Sequence, residues 1–186
     1  GPEFFAECFD RGLGRLIDKV SYHWYRPSPE DRYEASIAAC REVLARHKLN
    51  LPLWQGESGC PSQTGGAGGM AKYDWNEERQ AEYMDQLYRQ FFGHPAVATI
   101  NYWGLSDRNI WIEGAGLIDA VYQPKPAYQV LKKLIKGEWM TAPLRAVTDE
   151  SGQVQMDGFF GKYEVTACRP GKQHLVFPLH LAENQS

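Results

Sequence analysis

The sequence predicts an α/β fold built on a parallel sheet, and three observations predict it. Short runs rich in β-branched and aromatic residues alternate with longer runs of helical periodicity. Strand then helix recurs three times after an opening helix, the order that right-handed crossovers between parallel strands produce. Glycines and prolines stand at most of the junctions, where the backbone must turn.

The elements follow in order. In FFAECFDRGLG, Phe4, Phe5, Cys8 and Phe9 recur at three- and four-residue spacing, and Gly12 and Gly14 stop the helix. LIDKVSYHWY (16–25) reads as a strand broken by Pro27 and Pro29. EDRYEASIAACREVLARHK (30–48) puts Tyr33, Ile37, Cys40, Val43 and Leu44 on one face of an amphipathic helix. LNLPLWQGES (49–58) is a second strand, and CPSQTGGAGGM (60–70) is a glycine-rich loop without periodicity. DWNEERQAEYMDQLYRQFF (74–92) is a helix with Asp74 or Asn76 as N-cap and acidic residues in its first turn, ended by Gly93 and Pro95. AVATINYWG (96–104) is a third strand, followed by a long loop to about Gln123. PKPAYQVLKKLIK (124–136) is a helix with a proline start and a basic end.

After Gly137 the texture changes. GQVQMDGFFGKYEVTACR and KQHLVFPLHLA alternate as strands do, with turn signals at 149–152 and 169–171. Residues 138–186 therefore read as a small antiparallel β appendage to the α/β region 1–137. Its core is too small to stand alone, so it is expected to pack on that region.

Composition removes several function classes. The chain has 186 residues, 43% hydrophobic and 13% aromatic, with 20 Lys+Arg against 23 Asp+Glu. A disordered chain would have fewer aromatics and a larger net charge than −3. No apolar run approaches the roughly 18 residues of a membrane span. The near-even charge balance implies no phosphate-binding surface, so neither membrane nor nucleic acid is an expected partner. The N-terminus shows no basic n-region, apolar h-region or opening Met. No signal peptide is read there, and location stays open, a secreted or periplasmic one included. Cys8, Cys40, Cys60 and Cys168 form no CxxC and no cluster with histidine, so no zinc site is read from them. Free thiols and a disulfide both remain open for them.

In parallel α/β sheets, reactive groups gather at the carboxyl ends of the strands. Here those ends are Ser21–Tyr25, Trp54–Ser58, and Asn101–Gly104 with Asp107 just beyond. Strand alternation pairs His23 with Tyr25, Gln55 with Glu57, and Asn101 with Trp103. Converging, they would form one cleft holding a carboxylate, an imidazole, a phenol and an indole. Glu57 can be a solvated loop acid or a helix cap. It can equally be a catalytic acid, base or nucleophile, with Tyr25 or His23 donating to it. Trp and Tyr around a carboxylate suit a sugar, whose ring offers an apolar face and whose hydroxyls seek polar groups. GGAGG (65–69) lacks a following Lys-Ser/Thr and is read as a loop only. Asn76-Glu77 is read as capping chemistry.

These segments resemble the clan A glycoside hydrolases, (β/α)8-barrel enzymes with two catalytic glutamates. IDKVSYHWY is similar to the clan's sixth strand, LPLWQGESG to the seventh, and INYWGLSDRNIW to the eighth. YQPKPAYQVLKKLIKGEWMT resembles the last barrel helix of family ten xylanases, and SGQVQMDGFFGKYEVTA the β extension after some such barrels. The resemblance implies the C-terminal part of a TIM barrel, about strands 6–8, with a small antiparallel appendage. It implies a retaining glycoside hydrolase acting on a poly- or oligosaccharide, with Glu57 as the nucleophile and with no cofactor or metal. It makes Trp103 a wall of the cleaved sugar's subsite, with His23, Tyr25, Gln55, Asn101, Asp107 and Trp111 completing the substrate-binding set. The clan's acid/base glutamate follows an Asn at the end of the fourth strand, and no residue here matches it. The remaining N-terminal part of the same barrel is thus an expected partner. Two further classes compete: a non-catalytic carbohydrate-binding or scaffold protein derived from the same barrel, and an unrelated α/β enzyme.

Overall fold

The computed structural model describes residues 1–28, 32–65, 70 and 73–182. The expected helix start at Glu30 and residues 66–69 of the glycine-rich loop lie outside the described residues. The chain forms two compact units, Gly1–Lys132 and Lys133–Ser186.

The first unit alternates as expected. Helix α1 (Pro2–Asp10) leads through a single 3-10 turn (Leu13–Arg15) to strand β1 (Val20–Trp24). Helix α2 (Tyr33–Arg46), strand β2 (Leu53–Ser58), helix α3 (Glu77–Gly93), strand β3 (Val97–Ile100) and helix α4 (Pro126–Lys133) follow. The three strands form a parallel sheet in the order β1-β2-β3, with α2 and α3 as the crossovers. A glycine ends α1 for a conformational reason: Gly12 adopts φ 92° and its N–H reaches the Phe9 carbonyl at 2.9 Å. Of the aromatic stripe on α1 only Phe9 is buried, while Phe4 points to solvent.

Helix α2 buries Tyr33, Ile37, Cys40, Val43 and Leu44, the face its periodicity predicts. At the start of α3 the Asn76 side chain accepts the Arg79 N–H at 2.7 Å, so Asn76 is the cap and Asp74 is not. Tyr33, Phe91 and Trp24 meet edge-on or tilted between the sheet and these helices, with centroids 4.9 to 6.3 Å apart. Each such side chain contributes about 1.5–3 kcal/mol by leaving water.

The register holds one irregularity with consequences for chemistry. Val20 pairs with Leu53, Ser21 with Trp54 and Tyr22 with Gln55, but His23 pairs with Glu57. Gly56 is the extra residue of a β-bulge. Beyond it the alternation of β2 is reversed relative to the residues before it.

The second unit contains a π-helical turn (Leu134–Glu138) and an antiparallel hairpin of β4 (Gly161–Ala167) and β5 (Leu175–Leu181). The expected turn at 149–152 forms around Asp149, whose carboxylate accepts the N–H groups of Ser151 and Gln153. Those bonds, Gln153's foremost, hold its pKa below the ordinary carboxylate value. Leu175, Val176 and Phe177 on β5 are exposed.

Candidate active site

Glu57 is the point on which two side chains, from Tyr25 and His23, converge. It follows the Gly56 bulge and lies opposite His23 in the sheet. The Tyr25 hydroxyl donates to its Oε2 at 3.1 Å, and His23 Nδ1 stands 3.2 Å from the same oxygen. Tyr25 and His23 share a face because they are two residues apart on an extended segment, and their rings meet edge-on at 6.5 Å. Trp111, reaching over from the loop after β3, packs edge-on against Tyr25 at 5.2 Å. The Tyr25 phenol is pushed up to about 12, first by burial and then by the negative charge of Glu57, with the bond from Trp111 pulling the other way. It therefore stays a hydrogen-bond donor across the neutral range. Gly59 sits between Tyr25 and Trp103, where a Cβ would lie 3.4 Å from the tyrosine ring.

The ends of β2 and β3 are sewn together by backbone. Asn101 N–H donates to the Gln55 carbonyl and Trp103 N–H to the Ser58 carbonyl, at 2.9 and 2.7 Å. Trp103 and Trp111 are both about half exposed, at 48% and 52%, which leaves ring surface for a ligand. Asn101 is exposed as well.

Two expected site residues lie elsewhere. Gln55 does not share a face with Glu57: the Gly56 bulge turns it with Tyr22 toward the helices, where it is fully buried. Its Oε1 accepts the Asn101 N–H, and its Nε2 has no partner among the described residues. Asp107 is tied within its own loop. Its carboxylate accepts the Gly116 N–H at 2.7 Å and pairs with the Lys125 ammonium at 3.2 Å. Lys125 is the residue that sequence reasoning missed. It is 3% exposed and also donates to Ser62 Oγ and the Gly114 carbonyl, at 2.9 and 2.7 Å. Its only signal in the sequence is a lysine clamped between two prolines, Pro124 and Pro126, at a helix start.

Residues 63–134 match the profile of glycosyl hydrolase family 10. That stretch runs through α3, β3 and the Trp103–Trp111 loop to α4. The chain is thus similar to the clan A glycoside hydrolases, and within them to family 10, at low identity. It is similar to the anti-sigma-I factor RsgI6 of Acetivibrio thermocellus, 31% identical over 92% of this chain and 20% of that protein. It is also similar to endo-1,4-beta-xylanase B of Thermotoga neapolitana, 30% identical over 68% of this chain and 36% of that enzyme. The chain thus spans about a fifth and about a third of the length of these relatives. Among solved structures, a GH2 beta-galacturonidase of Eisenbergiella tayi superposes with a TM-score of 0.50 at 20% identity, over 65% of this chain and 24% of that one. That likeness is one of fold. The mixed α/β unit with its parallel sheet is consistent with part of a TIM barrel.

Proposed function

We propose that this chain carries the nucleophile side of a retaining glycoside hydrolase, with Glu57 as the nucleophile. The observation that carries it is the meeting of the Tyr25 hydroxyl and the His23 imidazole on one carboxylate oxygen of Glu57 at the carboxyl end of a parallel strand. Both polar contacts among the described residues fall on Oε2, which leaves Oε1 to attack the anomeric carbon. Tyr25 orients the carboxylate and stabilises its charge, and His23 shapes the pocket. Trp103 and Trp111 present half-exposed indoles on which a pyranose can stack. In this reading β1, β2 and β3 are strands 6–8 of the barrel. The acid/base carboxyl comes from a segment outside this sequence and stands about 5–5.5 Å from Glu57, the separation of retaining enzymes. That segment protonates the leaving oxygen and then activates water for hydrolysis of the glycosyl-enzyme. The similar xylanase makes β-1,4-xylan the first substrate to test.

The decisive experiment is trapping in the full-length protein. A 2-deoxy-2-fluoro aryl β-xylobioside should release its phenol and leave one 2-deoxy-2-fluoro-xylobiosyl group on the peptide that contains Glu57, seen by mass spectrometry, and Glu57→Gln should abolish both labelling and turnover. Turnover that survives Glu57→Gln ends the proposal.

A second reading is sugar binding without turnover. It is favoured by the relative named for anti-sigma action, whose match covers 92% of this chain. Wild-type protein that binds xylo-oligosaccharide but hydrolyses no aryl glycoside would establish it.

A further inference from the structure

We infer that Lys125 is a positioning residue for the reaction proposed above, acting on Glu57 through Trp111 and Tyr25. This rests on Glu57 being the nucleophile, but the mechanical part of it stands on geometry alone. Lys125 lies directly before α4, at the far end of the loop that carries Trp111. Its ammonium gathers three segments of chain: Ser62 after β2, and Asp107 and Gly114 within the loop after β3. The backbone adds two further ties, from Lys125 N–H to the Leu117 carbonyl and from Ser62 N–H to the Gly114 carbonyl. Asp107 and Gly114 bracket Trp111. With both fixed to one buried cation, the intervening turn holds its indole against Tyr25, and the Tyr25 hydroxyl in turn reaches Glu57 Oε2.

The chemistry of the side chain suits this task. A lysine ammonium offers three donors with free rotation and no acceptor, so it can satisfy oxygens that arrive from different directions. At 3% exposure it cannot touch a substrate, which separates its role from that of Trp111. Gly116 closes the arrangement. A Cβ there would sit 2.4 Å from the Asp107 nitrogen, so only glycine lets its N–H approach the carboxylate this closely.

The test uses wild-type full-length protein, Lys125→Met, Trp111→Ala and the double variant, with an aryl β-xylobioside as the probe. Lys125→Met should lower kcat roughly 10- to 100-fold with KM within about twofold, the scale of a small misplacement of reacting groups. In the double variant the loss should be no greater than in Trp111→Ala alone, because the two residues act in series. Multiplying losses, or an unchanged kcat in folded Lys125→Met, would overturn the inference. Because Lys125→Met strands the Asp107 carboxylate, Asp107→Asn/Lys125→Met is carried alongside. It removes both charges together and should show the same fall in kcat. A second readout needs no turnover. The acrylamide quenching assigned to Trp111, taken as the difference from a Trp111→Phe partner in each background, should rise when Lys125 is replaced. If quenching rises while wild type hydrolyses nothing, the positioning stands and the catalytic reading fails. If quenching does not rise, the positioning fails whatever the enzyme does.

Discussion

The end of β2 and the loop after β3 each present a carboxylate, and the two are alike in accessibility. The Glu57 side chain is 26% exposed and that of Asp107 is 20%. Their partners differ. Glu57 meets a phenol hydroxyl and a solvent-facing imidazole, both on one oxygen. Asp107 meets a buried ammonium and a backbone N–H, and its charge is matched within the loop. Burial alone therefore says little about which acid can react. Under the proposed function, Glu57, held on one oxygen, keeps the other for a substrate, whereas Asp107, paired with a buried cation, acts as a structural joint.

The largest effects should separate the two acids cleanly. Glu57→Gln should leave the melting curve near wild type and reduce turnover of an aryl glycoside by roughly 10⁴-fold or more, the scale on which removal of a nucleophile is felt. Asp107→Ala should do the reverse, costing about 3 kcal/mol in urea denaturation because it leaves Lys125 buried without its counter-charge. Its effect on kcat should not exceed that of Lys125→Met. An Asp107→Ala protein of unchanged stability would erase the distinction.

Gly116→Ala tests the joint from the backbone side. Its new methyl would press on the Asp107 nitrogen at 2.4 Å, and a loss of about 1–3 kcal/mol in the same assay is expected. On the Glu57 side, Tyr25→Phe removes one hydrogen bond to a charged group, worth about 1.5–3 kcal/mol, so kcat should fall about 10- to 100-fold while the fold persists. The same tyrosine carries a pH signature. Its phenol is raised from 10.0 to about 12 in the folded chain, by burial first and Glu57 second. Between those values the unfolded chain loses the proton before the folded one does. The folded state then binds more protons, and stability must fall as pH rises. Tyr22, Tyr33, Tyr83 and Tyr88 are shifted the same way, so urea midpoints should drop through this window, slightly less steeply in Tyr25→Phe. The smallest effect belongs to Gln55. Gln55→Met should change KM by less than about twofold and stability by under about 1 kcal/mol, since one bond and one unpartnered amide nitrogen are lost together. A large KM effect would return Gln55 to the cleft.

Much of the fold is legible along the chain. The five buried residues of α2 follow from a 3.6-residue period, and the Asn76 cap follows from side-chain chemistry three residues ahead of the N–H it accepts. Glu57, Tyr25 and His23 were also legible as a set, because strand ends collect reactive groups and alternate residues share a face. Gln55 was misplaced by that same alternation. One inserted glycine resets the register, and nothing local to Gln55 announces it. The Asp107–Lys125 joint was hidden for a related reason. Its partners are 18 residues apart, on the two sides of a loop with no periodicity to read.

By itself the sequence determined the order of strands and helices, the faces they bury and the carboxylate at the end of β2. These depend on spacing within one element, where periodicity and capping act over a few residues. Only the tertiary structure decided which partners each of the two acids meets. That choice depends on a bulge, which fixes register between strands, and on a buried cation, which arrives from another element altogether.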